Sequence, residues 1–262
     1  MTKPARLLSI AGSDSSGGAG IQADIKTASA LGVYAMTAIT AVTAQDTTGI
    51  GTIHPVPPDV VREQVMRCLS DIGADAIKTG MLGSADVARA VAVAIPKNIP
   101  LVVDPVLASS SGTALADGGV LEVLKADFFP RAALVTPNLP EAQALCGFAL
   151  VDPEDVLHAG EVLLSLGAGA VLIKGGHAAE ATVADILFTP DAPPRPFRAP
   201  RRETPHTHGT GCTLSTAIAC GLGQGLPLAD AVARAHAFVQ RAIATAPGFG
   251  AGQGPLNLLQ LG

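Results

Sequence analysis

"RLLSIAGSDSSGGAGIQAD", residues 6–24, combines a short apolar run, a turn of small polar residues and the start of a helix. A continuous apolar run of this length is typical of a parallel strand that is covered on both faces. Five further runs of the same kind occur at 35–44, 75–80, 100–106, 132–138 and 170–176. We therefore predict a mostly parallel sheet with helices on both faces.

The segments between these runs carry signals for helix starts. Pro-Pro-Asp at 57–59, Ser84 and Asp-Pro-Glu-Asp at 152–155 each precede an amphipathic stretch. Strands that alternate regularly with helices indicate an α/β protein with a right-handed, doubly wound sheet.

The pattern changes after residue 182. Two β-rich stretches bracket a Pro-rich turn at 190–196 and are predicted to pair antiparallel, and helices follow from Cys212 to about Gly221 and from Leu228 to about Thr245. The sequence shows no internal repeat and no linker, so residues 1–262 are predicted to form a single domain.

Composition argues against several classes of function. Aromatic residues make up 3% of the chain, tryptophan is absent and the formal net charge is −5, which disfavours nucleic-acid binding. The apolar run at the N-terminus is too short for a signal peptide or a membrane span. The four cysteines form no CxxC pair, so neither a zinc site nor a disulfide framework is indicated. We expect a cytoplasmic protein without membrane partners.

Polar residues follow the predicted parallel strands. The strands end in "GSDSSGG", "TAQDTTG", "KTGML", "DPV", "TPNLPE" and "KGGH". Ligands of open α/β sheets bind beyond the carboxyl ends of the strands. These side chains are therefore predicted to converge on a functional site.

The Gly-rich turn after the first predicted strand also permits a different interpretation of the function. Residues 18–23, "GAGIQA", fit the G-x-G-x-x-A pattern of dinucleotide-binding folds, and Asp46 lies about 20 residues further on. An NAD-dependent oxidoreductase is therefore one alternative. The turn begins several residues after the strand, which weakens this alternative because pyrophosphate binding requires a tight turn.

"HGTGC", residues 208–212, predicts an anion site. Glycines before a helix leave backbone N–H groups directed outward, and the positive end of the helix favours a phosphate. A thiol at this position should have a lowered pKa and could act as a base or nucleophile. From spacing alone, Cys212 could equally be a buried residue at a helix start, whereas Cys68, Cys146 and Cys220 are predicted core residues.

Together these motifs resemble the bacterial hydroxymethylpyrimidine/phosphomethylpyrimidine kinases of thiamine biosynthesis, members of the ribokinase-like superfamily. The resemblance extends over residues 6–257 and includes "AGSDSSGGAGIQADIKT", "TAQDTTG", "KTGML", "VVDPV", "TPNLPEA", "KGGH" and "THGTGCTLSTAIA". It implies a three-layer α/β/α sandwich and an ATP- and Mg²⁺-dependent kinase.

The resemblance also implies roles for individual residues at the phosphate end of the site. Cys212 would be the catalytic base, and the backbone of Gly209, Thr210 and Gly211 would form the anion hole. Lys174 would neutralise phosphate charge, and Asn138 and Thr210 would help to bind the nucleotide. Glu141 and Asp104 would hold Mg²⁺, which prefers a few carboxylates plus water and phosphate.

At the other end of the site, similar proteins hold the pyrimidine with residues that correspond here to Asp24 and Gln45. Gly12, Met81 and Val106 would complete the ring pocket. From the residues alone, we would predict that Asp24 is a solvated helix residue, that Met81 is a core residue and that Asp104 only shapes a turn. Lys78 is predicted to be a surface or salt-bridge residue.

Four positions depart from the family pattern, because they replace residues that are common in relatives: Ser109, Ser110, His206 and Leu258. The Pro-rich stretch at 190–205 would either cover the nucleotide or form a solvated edge. A pyridoxal or pyridoxine kinase is the nearest alternative function, because its substrate is also a flat ring with a hydroxymethyl group. A non-catalytic pyrimidine-binding module is a more distant one. A homodimer is also predicted.

Overall fold

A computed structural model describes residues 3–109, 112–175 and 182–259; Ser110 and the end of the "KGGH" motif lie outside these ranges. The strands are β1 Arg6–Asp14, β2 Tyr34–Asp46, β3 Gly49–Pro55, β4 Ala76–Thr79, β5 Leu101–Val103, β6 Leu134–Val135, β7 Val171–Ile173, β8 Thr182–Thr189 and β9 Ala192–Pro200. The helices are α1 Gly20–Ala30, α2 Pro58–Asp71, α3 Ala85–Ala94, α4 Val120–Val123, α5 Leu139–Cys146, α6 Pro153–Ser165, α7 Thr210–Gly223 and α8 Leu228–Ala244. A π-helical turn Leu124–Phe128 and a 3₁₀ turn Phe129–Arg131 follow α4.

In the part of the chain that the structure describes, nine strands form one sheet, in the order β3-β2-β1-β4-β5-β6-β7-β8-β9. The central strands from β2 to β7 in this order are parallel, and antiparallel strands flank them on both sides. From β1 the chain first adds β2 on one side and later β4 on the other. Such a reversal opens a crevice at the carboxyl ends of the strands, which is where a ligand is expected.

Both faces of the sheet are buried, as predicted. In β5, Leu101 and Val103 belong to one hydrophobic core, whereas Val102 belongs to the other. The first core is completed by α2, α3, α5 and α6, and the second by α1, α7 and α8. This confirms the prediction of a three-layer α/β/α arrangement.

Several elements differ from the prediction. Strand β3 was not predicted, because most of its side chains are exposed or half-buried and it has no apolar alternation. The strands predicted at 100–106 and 132–138 are reduced to β5 and β6, since each predicted run contains a proline, Pro105 or Pro137, that lacks an N–H donor for the sheet. The predicted antiparallel pair after residue 182 is confirmed as β8 and β9.

Helix α5 begins with a capping box that also shapes the edge of the crevice. The Asn138 side chain accepts a hydrogen bond from the Glu141 amide at 2.8 Å, and the Glu141 carboxylate accepts one from the Asn138 amide at 2.8 Å. Both polar side chains are thereby fixed just beyond the end of β6. Within the described ranges, the helices lack the combination of length and apolar composition needed to cross a membrane.

Candidate active site

A cleft of about 940 Å³ lies at the carboxyl ends of the parallel strands. Of the predicted site residues, all except Asp24 line it: Gly12, Gln45, Met81, Asp104, Val106, Asn138, Glu141, Lys174, Gly209, Thr210, Gly211 and Cys212. A cavity of this volume lies at the upper end of the range found for small-molecule sites. It is therefore large enough to accept two ligands side by side.

The N-terminus of α7 forms one wall of the cleft. Gly209 caps the helix in the left-handed conformation, with φ of 81°. The Thr210 amide donates to the Thr207 carbonyl at 3.2 Å, and the Thr213 amide donates to the Gly209 carbonyl at 2.9 Å. Among the described residues, the amides of Gly211 and Cys212 have no acceptor. These two N–H groups and the positive helix end make an anion site.

Gly209 also has no room for a side chain. A β-carbon added there would lie within van der Waals overlap of the Gly18 carbonyl oxygen, in the loop between β1 and α1. The close approach of these two backbones fixes the anion site against the end of the first strand.

Substitution of Gly209 by alanine is therefore expected to lower the free energy of unfolding by more than about 2 kcal/mol and to abolish ligand turnover. Gly225→Ala is a matched control, because Gly225 has φ of 85° but no neighbouring atom within 4 Å of an added β-carbon. Urea unfolding of both variants measures the difference. Equal losses of stability would mean that backbone strain alone explains the effect.

A half-buried cation, the Lys174 ammonium group, lies beside the anion site. Lys174 Nζ is 2.8 Å from Asp104 Oδ1 and 3.8 Å from Glu141 Oε2. A β-carbon on Gly211 would be 3.2 Å from the same Nζ, so the ammonium group and the free amides face the same space. Two carboxylates, one ammonium group and the helix end therefore meet at one end of the cleft.

The two carboxyl groups titrate differently. Burial raises the pKa of Glu141 to about 7, and the neighbouring Lys174 only partly opposes this effect. Burial would also raise the pKa of Asp104, but the ammonium groups of Lys174 and Lys78 outweigh it and the pKa is lowered. Near neutral pH, Asp104 is therefore ionised, and Glu141 can bind a proton or a cation.

Cys212 lines the cleft as predicted, but the pKa of its thiol is not lowered. Burial raises the pKa of its thiol to about 11, and Lys78 is the strongest group acting in the opposite direction. The prediction of a lowered pKa is wrong, because desolvation of the thiolate exceeds the stabilisation from its neighbours. The sulfur is a protonated thiol at neutral pH.

Asp24, which the resemblance assigns to substrate binding, does not line the cleft in this structure. Its side chain is fully buried and accepts hydrogen bonds from Lys78 Nζ at 2.9 Å, Ser9 Oγ at 2.5 Å and Thr216 Oγ1 at 2.6 Å. Lys78 is also fully buried, so it is a salt-bridge residue and not a surface one. The pair lies between α1, β4 and α7 and leaves no free oxygen for a ligand.

Asp14 and His208 were not predicted as site residues. The Asp14 carboxylate lies 2.9 Å from His208 Nε2 and accepts backbone N–H groups of Gly18 and Ala19 at 3.1 and 2.8 Å. Burial would raise the pKa of Asp14, but hydrogen bonds from His208, Ser16 and Ala19 lower it to about 2. The motifs "GSDSSGG" and "HGTGC" contain both residues, but nothing in either motif shows that they meet.

This arrangement also disfavours the dinucleotide alternative. The loop amides of Gly18 and Ala19, which a pyrophosphate would need, already donate to Asp14. Asp46, the acidic residue of the dinucleotide-binding pattern, accepts a hydrogen bond from the Thr48 amide at 2.8 Å and does not line the main cleft. An oxidoreductase is thus poorly supported.

The remaining walls divide the cleft into two ends. Met81 packs against Gly12, where an added β-carbon would lie 2.8 Å from its sulfur, and Met81 and Val106 both give the cleft apolar lining. At the other end lie Asp185 and His236, which no sequence motif had indicated. Asp185 accepts the Gly175 N–H at 2.9 Å, and burial raises its pKa.

Comparison with known proteins agrees with this geometry. The model of the phosphomethylpyrimidine kinase family matches residues 14–257. The thiamine biosynthesis bifunctional protein ThiED of Geobacter sulfurreducens is 47% identical over 253 residues; the match covers 96% of this chain and 51% of that protein, so the chain spans about half of its length. The hydroxymethylpyrimidine/phosphomethylpyrimidine kinase of Streptomyces coelicolor is 43% identical, and the match covers 97% of this chain and 94% of that protein.

Solved structures show the same architecture. The pyridoxal kinase of Staphylococcus aureus in complex with pyridoxal superposes with a TM-score of 0.90 and 35% identity, covering 98% of this chain and 94% of that one. The phosphomethylpyrimidine kinase of Clostridium difficile 630 superposes with a TM-score of 0.80 and 37% identity, covering 91% of this chain and 99% of that one. With a family match over nearly its whole length and the fold of these kinases, the chain belongs to the phosphomethylpyrimidine kinase family.

Proposed function

We propose that this protein is an ATP-dependent kinase that phosphorylates 4-amino-5-hydroxymethyl-2-methylpyrimidine and then its monophosphate. The observation that carries the proposal is the convergence of the free Gly211 and Cys212 amides with the Lys174 ammonium group at one point of the cleft. Phosphoryl transfer requires such positioning and charge neutralisation above all. The names of the Streptomyces and Geobacter relatives support the pyrimidine substrate and a role in thiamine biosynthesis.

In the first step, the hydroxymethyl oxygen forms a bond to the γ-phosphorus of ATP, and the bond from that phosphorus to the β–γ bridging oxygen breaks. The hydroxyl proton passes to Cys212 Sγ in its thiolate form. Lys174 and the Gly211 and Cys212 amides stabilise the charge on the transferring group. Asn138 and Thr210 would contact the nucleotide, as the resemblance implies.

The second step needs less help from a base. Its acceptor is a phosphate oxygen of the monophosphate, and a phosphate monoester has its second pKa near 6, so this oxygen is already ionised at neutral pH. The two steps should therefore depend on Cys212 to different degrees.

The donor groups at the phosphate end fit Mg²⁺. Glu141 and Asp104 are the carboxylates that would hold it, helped by Asn138, and their pKa values allow both to be ionised when a cation is near. In the described ranges no three His, Cys, Asp or Glu side chains cluster as a metal site, so water and phosphate oxygens would complete the ligand set. When bound, Mg²⁺ would neutralise charge on the phosphates.

Lys174→Met is expected to lower kcat/KM for ATP by roughly 10²–10³-fold, since one stabilising charge on the transferring group is lost. The substitution also leaves Asp104 buried without its cation, so the thermal midpoint of unfolding should be measured beside the rate. Exposed Lys97→Met is the control. A rate equal to that of the control would remove Lys174 from the phosphate site.

A pyridoxal or pyridoxine kinase is the second candidate. The similarity to the pyridoxal-bound Staphylococcus structure favours it. Both candidates share the fold and the phosphate end of the cleft, so they differ only in how the ring is recognised. The homodimer and the cytoplasmic location remain predictions from the sequence.

A further inference from the structure

The Asp14 carboxylate joins two segments of the chain that both line the cleft. Asp14 is the last residue of β1, and its side chain is buried. Its Oδ1 accepts hydrogen bonds from the Ser16 amide at 2.8 Å and the Ser16 hydroxyl at 2.7 Å. Its Oδ2 accepts from the amides of Gly18 and Ala19 at 3.1 and 2.8 Å, and from His208 Nε2 at 2.9 Å. The β1–α1 loop is therefore wrapped around this carboxylate, and the His208 ring connects it to a distant part of the chain.

His208 lies directly before the anion site. The next residue, Gly209, caps α7, whose first amides are those of the anion site. The His208 amide donates to the Gly254 carbonyl at 3.1 Å. The ring packs against Gly18, where an added β-carbon would lie 2.5 Å from His208 Cδ2. Both the backbone and the ring of His208 are thus held in place, one residue before the cap of α7.

The contact between Asp14 and His208 is of a kind that fixes a position. The hydrogen bonds to the Asp14 carboxylate outweigh burial and lower its pKa to about 2, so the group is ionised at neutral pH. Hydrogen bonds to an ionised group are roughly twice as strong as those between neutral groups. Both side chains are buried, so water competes little for the contact. The β1–α1 loop and the start of α7 are therefore held together by a strong contact that excludes water.

The position of the start of α7 matters for the reaction. The Gly211 and Cys212 amides would stabilise the transferring phosphoryl group, and such stabilisation depends on donors that are already in place when charge develops. A displacement of about 1 Å in an active site can lower a rate by about 10²-fold. A residue that fixes these amides can therefore affect the rate without touching the phosphate.

We propose that Asp14 and His208 are positioning residues that hold the anion site at the reacting distance from the acceptor oxygen. The inference rests on the proposed function and adds to it two residues that act through the Gly211 and Cys212 amides. Because both phosphorylation steps use the same anion site, the pair should serve both steps equally.

His208→Leu tests this role by removing the donor to Asp14. The carboxylate keeps the hydrogen bonds from its own loop, so the β1–α1 loop should stay folded. We expect kcat to fall by roughly 10–100-fold, with the KM for ATP close to the wild-type value, because Lys174 still binds the phosphates. The fall should be the same for the hydroxymethylpyrimidine and for its monophosphate. This equality differs from the effect expected for Cys212→Ala, which should be much smaller with the monophosphate.

A conservative variant and a control separate positioning from a general loss of stability. His208→Gln places an amide N–H where the ring Nε2 lies, so it should recover most of the lost kcat. His158→Leu is the control, because His158 is exposed and does not line the cleft. The thermal midpoint of unfolding is measured for each variant. His208→Asn replaces His208→Leu if the latter fails to fold, since its side chain is too short to reach Asp14 and should cause the same loss.

Three results would overturn the positioning role. The first is a kcat of the His208→Leu or His208→Asn variant equal to that of the His158→Leu control. The second is a loss confined to the first step, which would place the effect at the Cys212 thiol. The third is a loss confined to the KM for the pyrimidine, which would place the effect at Gln45, whose Nε2 is 3.3 Å from His208 Nε2.

Failure of the proposed function would look different. In that case the wild-type protein would phosphorylate pyridoxal but neither pyrimidine. The kcat of the same variants with pyridoxal would then still decide whether His208 positions the anion site.

Discussion

Replacement of Cys212 by alanine is expected to lower kcat for the hydroxymethylpyrimidine by roughly 10²–10⁴-fold, the usual contribution of a general base. ATP affinity should stay close to that of the wild-type protein, because the thiol is proposed to act on the acceptor hydroxyl. The loss should be much smaller with the monophosphate, whose acceptor oxygen is already ionised. The ratio of the two losses separates a role as base from a general disturbance of the site.

The pH dependence gives a second measure of the same role. Because the pKa of the Cys212 thiol is about 11, the thiolate fraction at lower pH rises about tenfold per pH unit. In the wild-type protein, kcat for the hydroxymethylpyrimidine should rise between about pH 7 and pH 9, and the residual rate of Cys212→Ala should not. Cys220→Ala, a buried change in the same helix, is the control. Equal losses in both steps would contradict the assignment of Cys212 as base.

Lys78→Met is expected to lower the free energy of unfolding by about 3–5 kcal/mol. The substitution leaves the Asp24 carboxylate fully buried without its ammonium partner, with only hydroxyl donors from Ser9 and Thr216. Burial would lower the pKa of Lys78, but the adjacent Asp24 outweighs burial and raises it, so the lysine is charged in the folded protein.

The double variant Lys78→Met with Asp24→Asn should regain much of this loss, because it removes both buried charges together. Arg67→Met, which breaks the exposed pair with Glu63, is the control and should change stability little. Urea unfolding at fixed pH measures all the variants. A double variant no more stable than the Lys78 single variant would show that the charges are not coupled.

The sequence was sufficient to predict the parallel core of the fold and the edge of the sheet that carries the site. Apolar runs such as those around Leu101 and Val171 are buried on both faces, and this burial leaves a direct pattern in the chain. Strand β3 left no such pattern, because an edge strand with exposed side chains needs no apolar periodicity. Its position depends on pairing with β2, which is a tertiary contact.

The contacts and the pKa values within the site could not be predicted for a similar reason. Asp24 stands in a motif that the family resemblance connects with substrate, yet its partner Lys78 lies 54 residues further on and only the folded chain brings them together. The Asp14–His208 contact joins residues 194 positions apart. The pKa of Cys212 depends on how deeply α7 is buried, which the motif "HGTGC" does not reveal.

The most direct test of the proposed activity is to incubate the purified protein with Mg-ATP and, separately, hydroxymethylpyrimidine, its monophosphate, pyridoxal and pyridoxine, and to read the products by mass. We expect the mono- and diphosphorylated pyrimidine as the main products. Phosphorylation of pyridoxal or pyridoxine alone, with both pyrimidines left unchanged, would contradict the assignment.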